Sequence, residues 1–225
     1  IKAVHTPGHT PEHLSFLVTD GATTTEPGFF LTGDFVFVGD VGRPDLLDEA
    51  AGGVDTRFAG AKHLFKSLRE KFMTLPDYVQ VWPGHGAGSS CGKALGAVAS
   101  TTVGYEKRFA WWADYLSSND EGGFITALLE GQPDAPLYFS RMKRQNKMGP
   151  ALLGKRLELR EFKASDLVDK INKDFAFIDT RKREDYLKGA VKGSLHLPDG
   201  KKFITYASYI LDPEKDLKPI VLLAA

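Results

Sequence analysis

The chain first alternates short apolar runs with turn-forming clusters, then shifts to longer helical spacing. Ile1-Lys2-Ala3-Val4 and Leu14-Ser15-Phe16-Leu17-Val18 read as strands on either side of a polar turn. The stretch 21–28, with its run of threonines and Pro27, predicts a hairpin-like connection. Phe29-Phe30-Leu31, the residues 35–38 and Val79-Gln80-Val81-Trp82 are further short apolar pieces. Runs this short, bounded by Gly, Pro and Asp, suit strands. Phe58, Ala61, Leu64, Phe65, Leu68 and Phe72 recur at helical spacing and predict an amphipathic helix over 56–73, ended by Pro76-Asp77. Strands alternating with a long helix predict an α/β layered fold.

Further along, residues 104–116 carry Tyr105, Phe109, Trp111, Trp112 and Tyr115, which predicts an aromatic-rich helix whose rings pack a core. A second helical piece spans 124–130 and is broken by Gly131-Gln132-Pro133. The basic run from Arg141 to Lys147 reads as a solvated helix face; the alternative places it at an anion, a partner or the border of a substrate channel. A new rhythm starts near Glu161. Ser165-Asp166 predicts a helix start, and the residues 175–179 and 219–223 read as strands. This change of rhythm predicts a domain boundary at about 150–158 and three segments, 1–118, 119–157 and 158–225.

Composition narrows the partners. Lys plus Arg and Asp plus Glu cancel at 29 each, so no global field favours nucleic acid or an anionic membrane. No apolar run approaches the roughly 20 residues that span a bilayer, and the start is not signal-like. The single cysteine, Cys91, excludes an intrachain disulfide and fits a reducing compartment, so the cytoplasm is the expected location. A second copy of the chain, forming a homodimer, is a candidate partner. The first residue is Ile1 rather than Met, which carries the expectation that the natural protein has N-terminal residues ahead of it.

Three turns carry the chemistry. His5-Thr6-Pro7-Gly8-His9-Thr10, Leu31-Thr32-Gly33-Asp34 and Trp82-Pro83-Gly84-His85-Gly86 each place a ligand-type side chain in a glycine-containing turn beside a strand-like run. A first-row metal needs imidazole nitrogens and carboxylate oxygens converging at about 2.0–2.2 Å, supplied from several loops. His9, Asp34 and His85 meet that requirement; His5 and His13 flank His9 four residues away on either side, and surface decoration is one reading of either.

These motifs resemble the metallo-β-lactamase superfamily over residues 1 to about 115. The resemblance implies an αββα sandwich, of which this chain would hold the C-terminal part, with metals at the sheet edges. It makes His9 a metal ligand and Asp34 the carboxylate ligand, bridging in dinuclear members. His85 takes the last histidine position, which binds the second metal or stands beside it. The His-x-His-x-Asp-His motif of the family is not among residues 1–225, and the remaining ligands are expected upstream.

Gly42-Arg43-Pro44-Asp45 and the stretch Gly84 to Lys93 resemble persulfide dioxygenases of the bacterial branch fused to rhodanese modules. That branch uses one Fe(II) held by two histidines and a carboxylate, leaving positions for dioxygen and the substrate sulfur. The implied reaction oxidises a thiol persulfide with O2 and water to sulfite, releasing the thiol. Arg43 then either holds an anionic part of the substrate or makes a structural ion pair. Cys91 precedes Gly92-Lys93, read as a possible helix start, where the helix N-terminus and Lys93 would favour the thiolate and a sulfur-relay role; the alternative is an inert cysteine. A dinuclear Zn(II) hydrolase of glyoxalase II type, acting on thioesters, is the second reading, and a non-catalytic sulfur-handling scaffold the third.

Ile178-Asp179-Thr180-Arg181, with Tyr186, Gly193-Ser194 and His196, resembles the first half of a rhodanese. Ala224 falls where that family carries its nucleophilic cysteine, after Pro219-Ile220-Val221-Leu222-Leu223. Without a thiolate no persulfide intermediate forms there, so the expectation is a truncated, non-catalytic rhodanese-like domain; the alternative is that the cysteine lies a few residues beyond the position matched here.

Overall fold

The computed structural model describes residues 1–46, 48, 56–155, 158–167, 175–215 and 218–224. The chain divides into two compact units, 1–135 and 136–225. The division falls ahead of the 150–158 stretch, so the basic helix groups with the second unit.

The first unit is built on a five-stranded sheet in the order β1-β2-β3-β4-β5. Its strands are β1 (Lys2–His5), β2 (Leu14–Val18), β3 (Phe29–Gly33), β4 (Gln80–Pro83) and β5 (Thr101–Thr102). β1 and β2 form an antiparallel hairpin, β2 pairs antiparallel with β3, and β3 runs parallel to β4. It follows that β1, β3 and β4 all point the same way and end on one edge of the sheet. The loops after these strands carry His9, Asp34 and His85.

Strand alternation sorts the side chains between the two faces. Phe30 and Val81 are fully buried and pack with Leu64, Phe65, Leu68 and Phe72 from the helix side. Each such side chain contributes about 1.5–3 kcal/mol by leaving water. Their neighbours Phe29, Leu31, Phe16 and Trp82 face the other way and remain partly exposed.

The helix expected over 56–73 forms as α1 (Thr56–Ser67), which then widens into a single π-helical turn over Leu68–Phe72. The aromatic segment is not one helix. It splits into α2 (Val103–Phe109) and α3 (Ala113–Ser117), with Ala110 in extended conformation between them. The break aims two adjacent indoles at different targets. Trp112 is fully buried with its ring against Phe72, while Trp111 stacks on Phe124 of α4 (Glu121–Leu129). Nor do residues 35–38 form a strand. Phe35, Val36 and Phe37 are buried, but in a tight turn closed by a lone Val36–Val41 bridge. The Thr32 hydroxyl donates to the Val36 carbonyl at 2.6 Å, and the Phe37 N–H donates to the Asp40 carbonyl. Local side-chain and turn hydrogen bonds thus replace a ladder.

The second unit opens with α5 (Phe139–Met148), which holds the basic run. Arg141 pairs with Asp212 at 3.1 Å and Arg144 with Glu214, so this part of the run is tied within its own unit. A three-stranded sheet in the order β7-β6-β8 follows, from β6 (Ala176–Asp179), β7 (Leu195–His196) and β8 (Ile220–Leu223), all parallel. The connections carry α6 (Arg183–Lys188) and α7 (Phe203–Ile210). Ala164–Asp166 form a 3-10 turn, and the helix expected to run on from Ser165-Asp166 reaches 168–174, outside the described residues. No helix among the described residues is long and apolar enough to cross a membrane.

At the end of β6 the buried Asp179 takes a forked ion pair from Arg181, at 2.9 Å from Nε and 2.6 Å from Nη2, and Arg181 also donates to the Gly189 carbonyl. The guanidinium hydrogen bond holds the Asp179 carboxyl below the usual carboxylate range, against the cost of burial. A depressed folded-state value means the contribution is complete above the unfolded value of about 3.9 and is lost as pH falls through the lower folded value. Amide exchange in β6, followed as a function of pH, should therefore accelerate below about pH 3.9. Asp179→Asn should be less stable at neutral pH and should lose that part of the acid dependence.

Candidate metal centre

The loop between β1 and β2 is pinned from below before it can present His9. The Ser67 hydroxyl of α1 donates to the Pro7 carbonyl at 2.8 Å, and Gly8 lies directly against Leu64. His9 then donates from Nδ1 to the Arg43 carbonyl at 2.7 Å. That bond fixes the tautomer and leaves Nε2 with a free lone pair, the arrangement of histidines that bind metals.

Asp34 follows Gly33, whose φ of 53° turns the chain sharply at the end of β3. A side chain is strained in that left-handed region. The Asp34 N–H donates to His13 Nε2 at 3.1 Å, so the proton of that ring sits on Nδ1, 2.8 Å from the Thr6 hydroxyl. Thr6 passes the chain to Ser15 at 2.9 Å, and Ser15 to the Thr32 carbonyl. Burial, reinforced by the neighbouring His9, lowers the His13 pKa and keeps the ring neutral. His13 is therefore not surface decoration: it holds the main chain at Asp34. The signal in the sequence was its place opposite Thr6, two residues before Ser15 on the returning strand. His5, by contrast, is exposed and contacts only the Pro11 carbonyl, at 2.7 Å, among its hydrogen bonds.

His85 is the most exposed of the three, and its Nε2 lies 3.1 Å from Asp34 Oδ1. The contact lacks hydrogen-bond geometry, and Oδ1 is buried without any donor. A buried carboxylate oxygen without a hydrogen-bond partner thus faces an imidazole nitrogen across a short gap, an arrangement that a cation would satisfy. The third member of this group is Cys91: one ligand atom from each of Asp34, His85 and Cys91 lies within 4.8 Å of the others. His9 stands outside that trio. Gly42 lies between the two residues: a Cβ placed on it would lie 1.8 Å from the Asp34 main-chain carbonyl oxygen and 3.1 Å from His9 Cβ. Only glycine fits between them.

Of the two readings of Arg43 the structural ion pair is the one that forms, and the helix start expected at Cys91 is corrected. Arg43 is not placed to clamp a substrate, because it is 1 % exposed and its guanidinium is already engaged. It makes a forked pair with Asp45, 2.9 Å from Nε and 2.5 Å from Nη2, and Nη1 donates to the Ser90 and Pro133 carbonyls. Nor does Cys91 sit at a helix start. The segment from Gly92 onward is irregular, and Lys93 turns away to the Ala127 and Glu130 carbonyls and the Trp111 ring. Burial pushes the Cys91 thiol up, and the adjacent Asp34 adds to the rise while Ser89 opposes it. The expected stabilisation of a free thiolate is missing.

Two buried carboxylates brace the same loop. Asp40 accepts from Val41 N–H, Ala94 N–H and the Trp111 indole at 2.8–3.0 Å, and Glu106 accepts from Gly39 N–H at 3.0 Å. Burial raises the Glu106 pKa.

With this geometry in view, the comparisons fall into place. No family model matches the chain. It is similar over its whole length to the crystal structure of a metallo-beta-lactamase from Staphylococcus aureus subsp. aureus COL, at 39% identity and a TM-score of 0.72, and covers 58% of that chain. It is 35% identical over 113 residues to an uncharacterized protein of Mycobacterium tuberculosis, half of this chain and 40% of that one. It is 32% identical over 107 residues to a hydroxyacylglutathione hydrolase of Haemophilus influenzae, 48% of this chain and 37% of that one. The chain therefore spans about two fifths of the length of these curated relatives. Its fold is metallo-β-lactamase-like, a mixed α/β architecture with the ligand-type residues on one sheet edge.

The Arg43 pair gives a stability test. Arg43→Ala strands the buried Asp45 carboxylate and leaves the Ser90 and Pro133 carbonyls without their donor, and should cost about 3–5 kcal/mol in urea denaturation followed by tryptophan fluorescence.

Proposed function

We propose that this protein is a metal-dependent persulfide dioxygenase, with Fe(II) held by His9 and Asp34 and with His85 beside it. The reaction takes a thiol persulfide, O2 and water to the free thiol, sulfite and two protons. The sulfane sulfur loses four electrons and dioxygen gains them. The observation that carries the metal reading is the buried Asp34 Oδ1, without a hydrogen-bond partner and facing His85 at 3.1 Å; the His9 ring, held through Nδ1, adds a histidine from the neighbouring loop. The bound ion would supply Lewis acidity at the substrate sulfur and the redox chemistry that activates dioxygen. The chain's own part is orientation. Arg43 steers His9 through its carbonyl, His13 holds Asp34 through its N–H, and the half-exposed His85 leaves the approach to Asp34 open from solvent. The persulfide assignment draws on the Gly42-Arg43-Pro44-Asp45 resemblance and on a thiol bordering the centre.

A second reading, thioester hydrolysis with Zn(II), is favoured by the similarity to a hydroxyacylglutathione hydrolase and by the closeness of His85 to Asp34. Metal analysis and two assays separate them. Iron, with O2 uptake and sulfite release on glutathione persulfide, is the expected result. Zinc with hydrolysis of a hydroxyacylglutathione and no O2 uptake would replace it. His9→Ala should lose both metal and turnover while keeping its thermal transition. If it retains full metal content, His9 is no ligand.

For the second unit we propose a rhodanese-homology role without sulfur transfer, supported by its three-stranded parallel sheet and by Ala224 directly after β8. The 225 residues contain one cysteine, in the other unit. Thiosulfate:cyanide sulfurtransferase assays should give no rate above background.

A further inference from the structure

Glu106 is an acidic side chain in a place with no cation to meet it. It stands on α2, is 0 % exposed, and its Oε2 accepts the Gly39 N–H at 3.0 Å. Its Oε1 is buried without a hydrogen-bond partner. No ion pair among the described residues involves it: Lys107, next on the helix, turns to the Leu75 carbonyl and Asp77, and Arg108 lies over the Phe109 ring. The groups that face it from the packed elements are the Thr101 hydroxyl of β5, the Gly39 N–H and the Asp40 carboxylate. Asp40 is also fully buried, but it takes three N–H donors, from Val41, Ala94 and the Trp111 indole. Two acids thus meet at one loop, and only Asp40 has the donors that an ion sealed from water requires. Burial pushes the Glu106 carboxyl up, the Thr101 hydroxyl and the Gly39 N–H oppose the rise, and the Asp40 charge adds to it.

Gly39, the residue that Glu106 holds, lies midway along the loop between Asp34 and Arg43. Its φ of 76° helps make the reversal that the Val36–Val41 bridge closes. We propose that Glu106 is a positioning residue that closes this loop as a neutral acid, so that losing its proton at alkaline pH opens the loop and frees the residues at its two ends. A second negative charge beside Asp40, with an orphaned oxygen and no counter-ion, is relieved only when water reaches it, and that requires α2 and the loop to part. The proton goes to solvent, and no other covalent bond changes. A raised folded-state value means the contribution is complete below the unfolded value of about 4.3 and is lost as pH rises through the higher folded value. The inference goes beyond the metal reading and stands on the loop alone, whichever cation the centre takes.

Glu106→Gln keeps the size and the accepting oxygen of the neutral acid and removes the proton. Infrared spectra of the unaltered protein at neutral pH should show the carbonyl band of a protonated carboxylic acid, absent from Glu106→Gln and lost as the pH is raised. Amide exchange over residues 35–42, read by mass spectrometry with both proteins at the same pH, should diverge as pH rises. The unaltered protein should exchange faster, by up to about tenfold for each pH unit beyond the folded value, and Glu106→Gln should restore slow exchange. Glu26→Gln, on an exposed loop, should follow the unaltered protein. Equal exchange in the unaltered protein and Glu106→Gln across the pH range overturns the proposal. Because the variant could fold poorly, the infrared reading on the unaltered protein stands by itself: no protonated-acid band at neutral pH overturns the proposal and leaves the metal reading untouched.

Discussion

The candidate centre depends on a single buried loop, and that loop depends on Arg43. A guanidinium sealed from solvent is tolerable only when its donors are met, and here the Asp45 carboxylate and the Ser90 and Pro133 carbonyls meet them. Once Arg43 is fixed, its main chain becomes a reference point. The carbonyl orients His9, the N–H holds the Cys91 carbonyl, and the preceding Gly42 leaves room for the Asp34 main chain and the His9 side chain beside it. Asp40 and Glu106 secure the front of the same loop from below. A buried polar network of this kind specifies one arrangement only if it is largely satisfied, and this one leaves few atoms unmet: Glu106 Oε1 and Asp34 Oδ1.

The sheet and the chemistry reach the same edge for a topological reason. A tight hairpin reverses β1 into β2, a second reversal leads to β3, and the crossover through α1 brings β4 alongside β3 in parallel. The three strand ends carrying ligand-type residues are thereby collected without any long-range design beyond strand direction. A rigid scaffold with functional groups on its loops is the ordinary way a fold hosts chemistry, and the fold alone leaves that chemistry open.

Much of this was legible in the chain itself. Short apolar runs beside Gly8, Gly33 and Gly84 marked the strands and the turns, and the 3.6-residue recurrence from Phe58 to Phe72 marked α1. What escaped was set by tertiary contacts. The aromatic helix broke at Ala110 because Trp111 and Trp112 answer to different neighbours, Phe124 and Phe72. Residues 35–38 matched a strand in hydrophobicity, yet Thr32 and Asp40 bent them into a turn. His13 looked incidental because its partners, Thr6 and the Asp34 N–H, come together only after the hairpin closes. For Arg43 a substrate contact and a structural ion pair stayed equally open, because two of the acceptors that complete its shell, the Ser90 and Pro133 carbonyls, lie 47 and 90 positions away. Local pattern reveals periodicity; it does not reveal which distant carbonyl will quench a charge.

The group that steers His9 is a main-chain carbonyl, and this changes how the centre can drift. No substitution at position 43 deletes that oxygen, so the hydrogen bond cannot be lost by replacing one side chain with another. It can be lost only by moving the backbone, which the side chain of Arg43 restrains. Neutral variation around the centre is thus filtered through geometry rather than chemical identity. A lineage could exchange almost any exposed residue of these loops while the imidazole kept its aim, provided the buried ion pair beneath it survived.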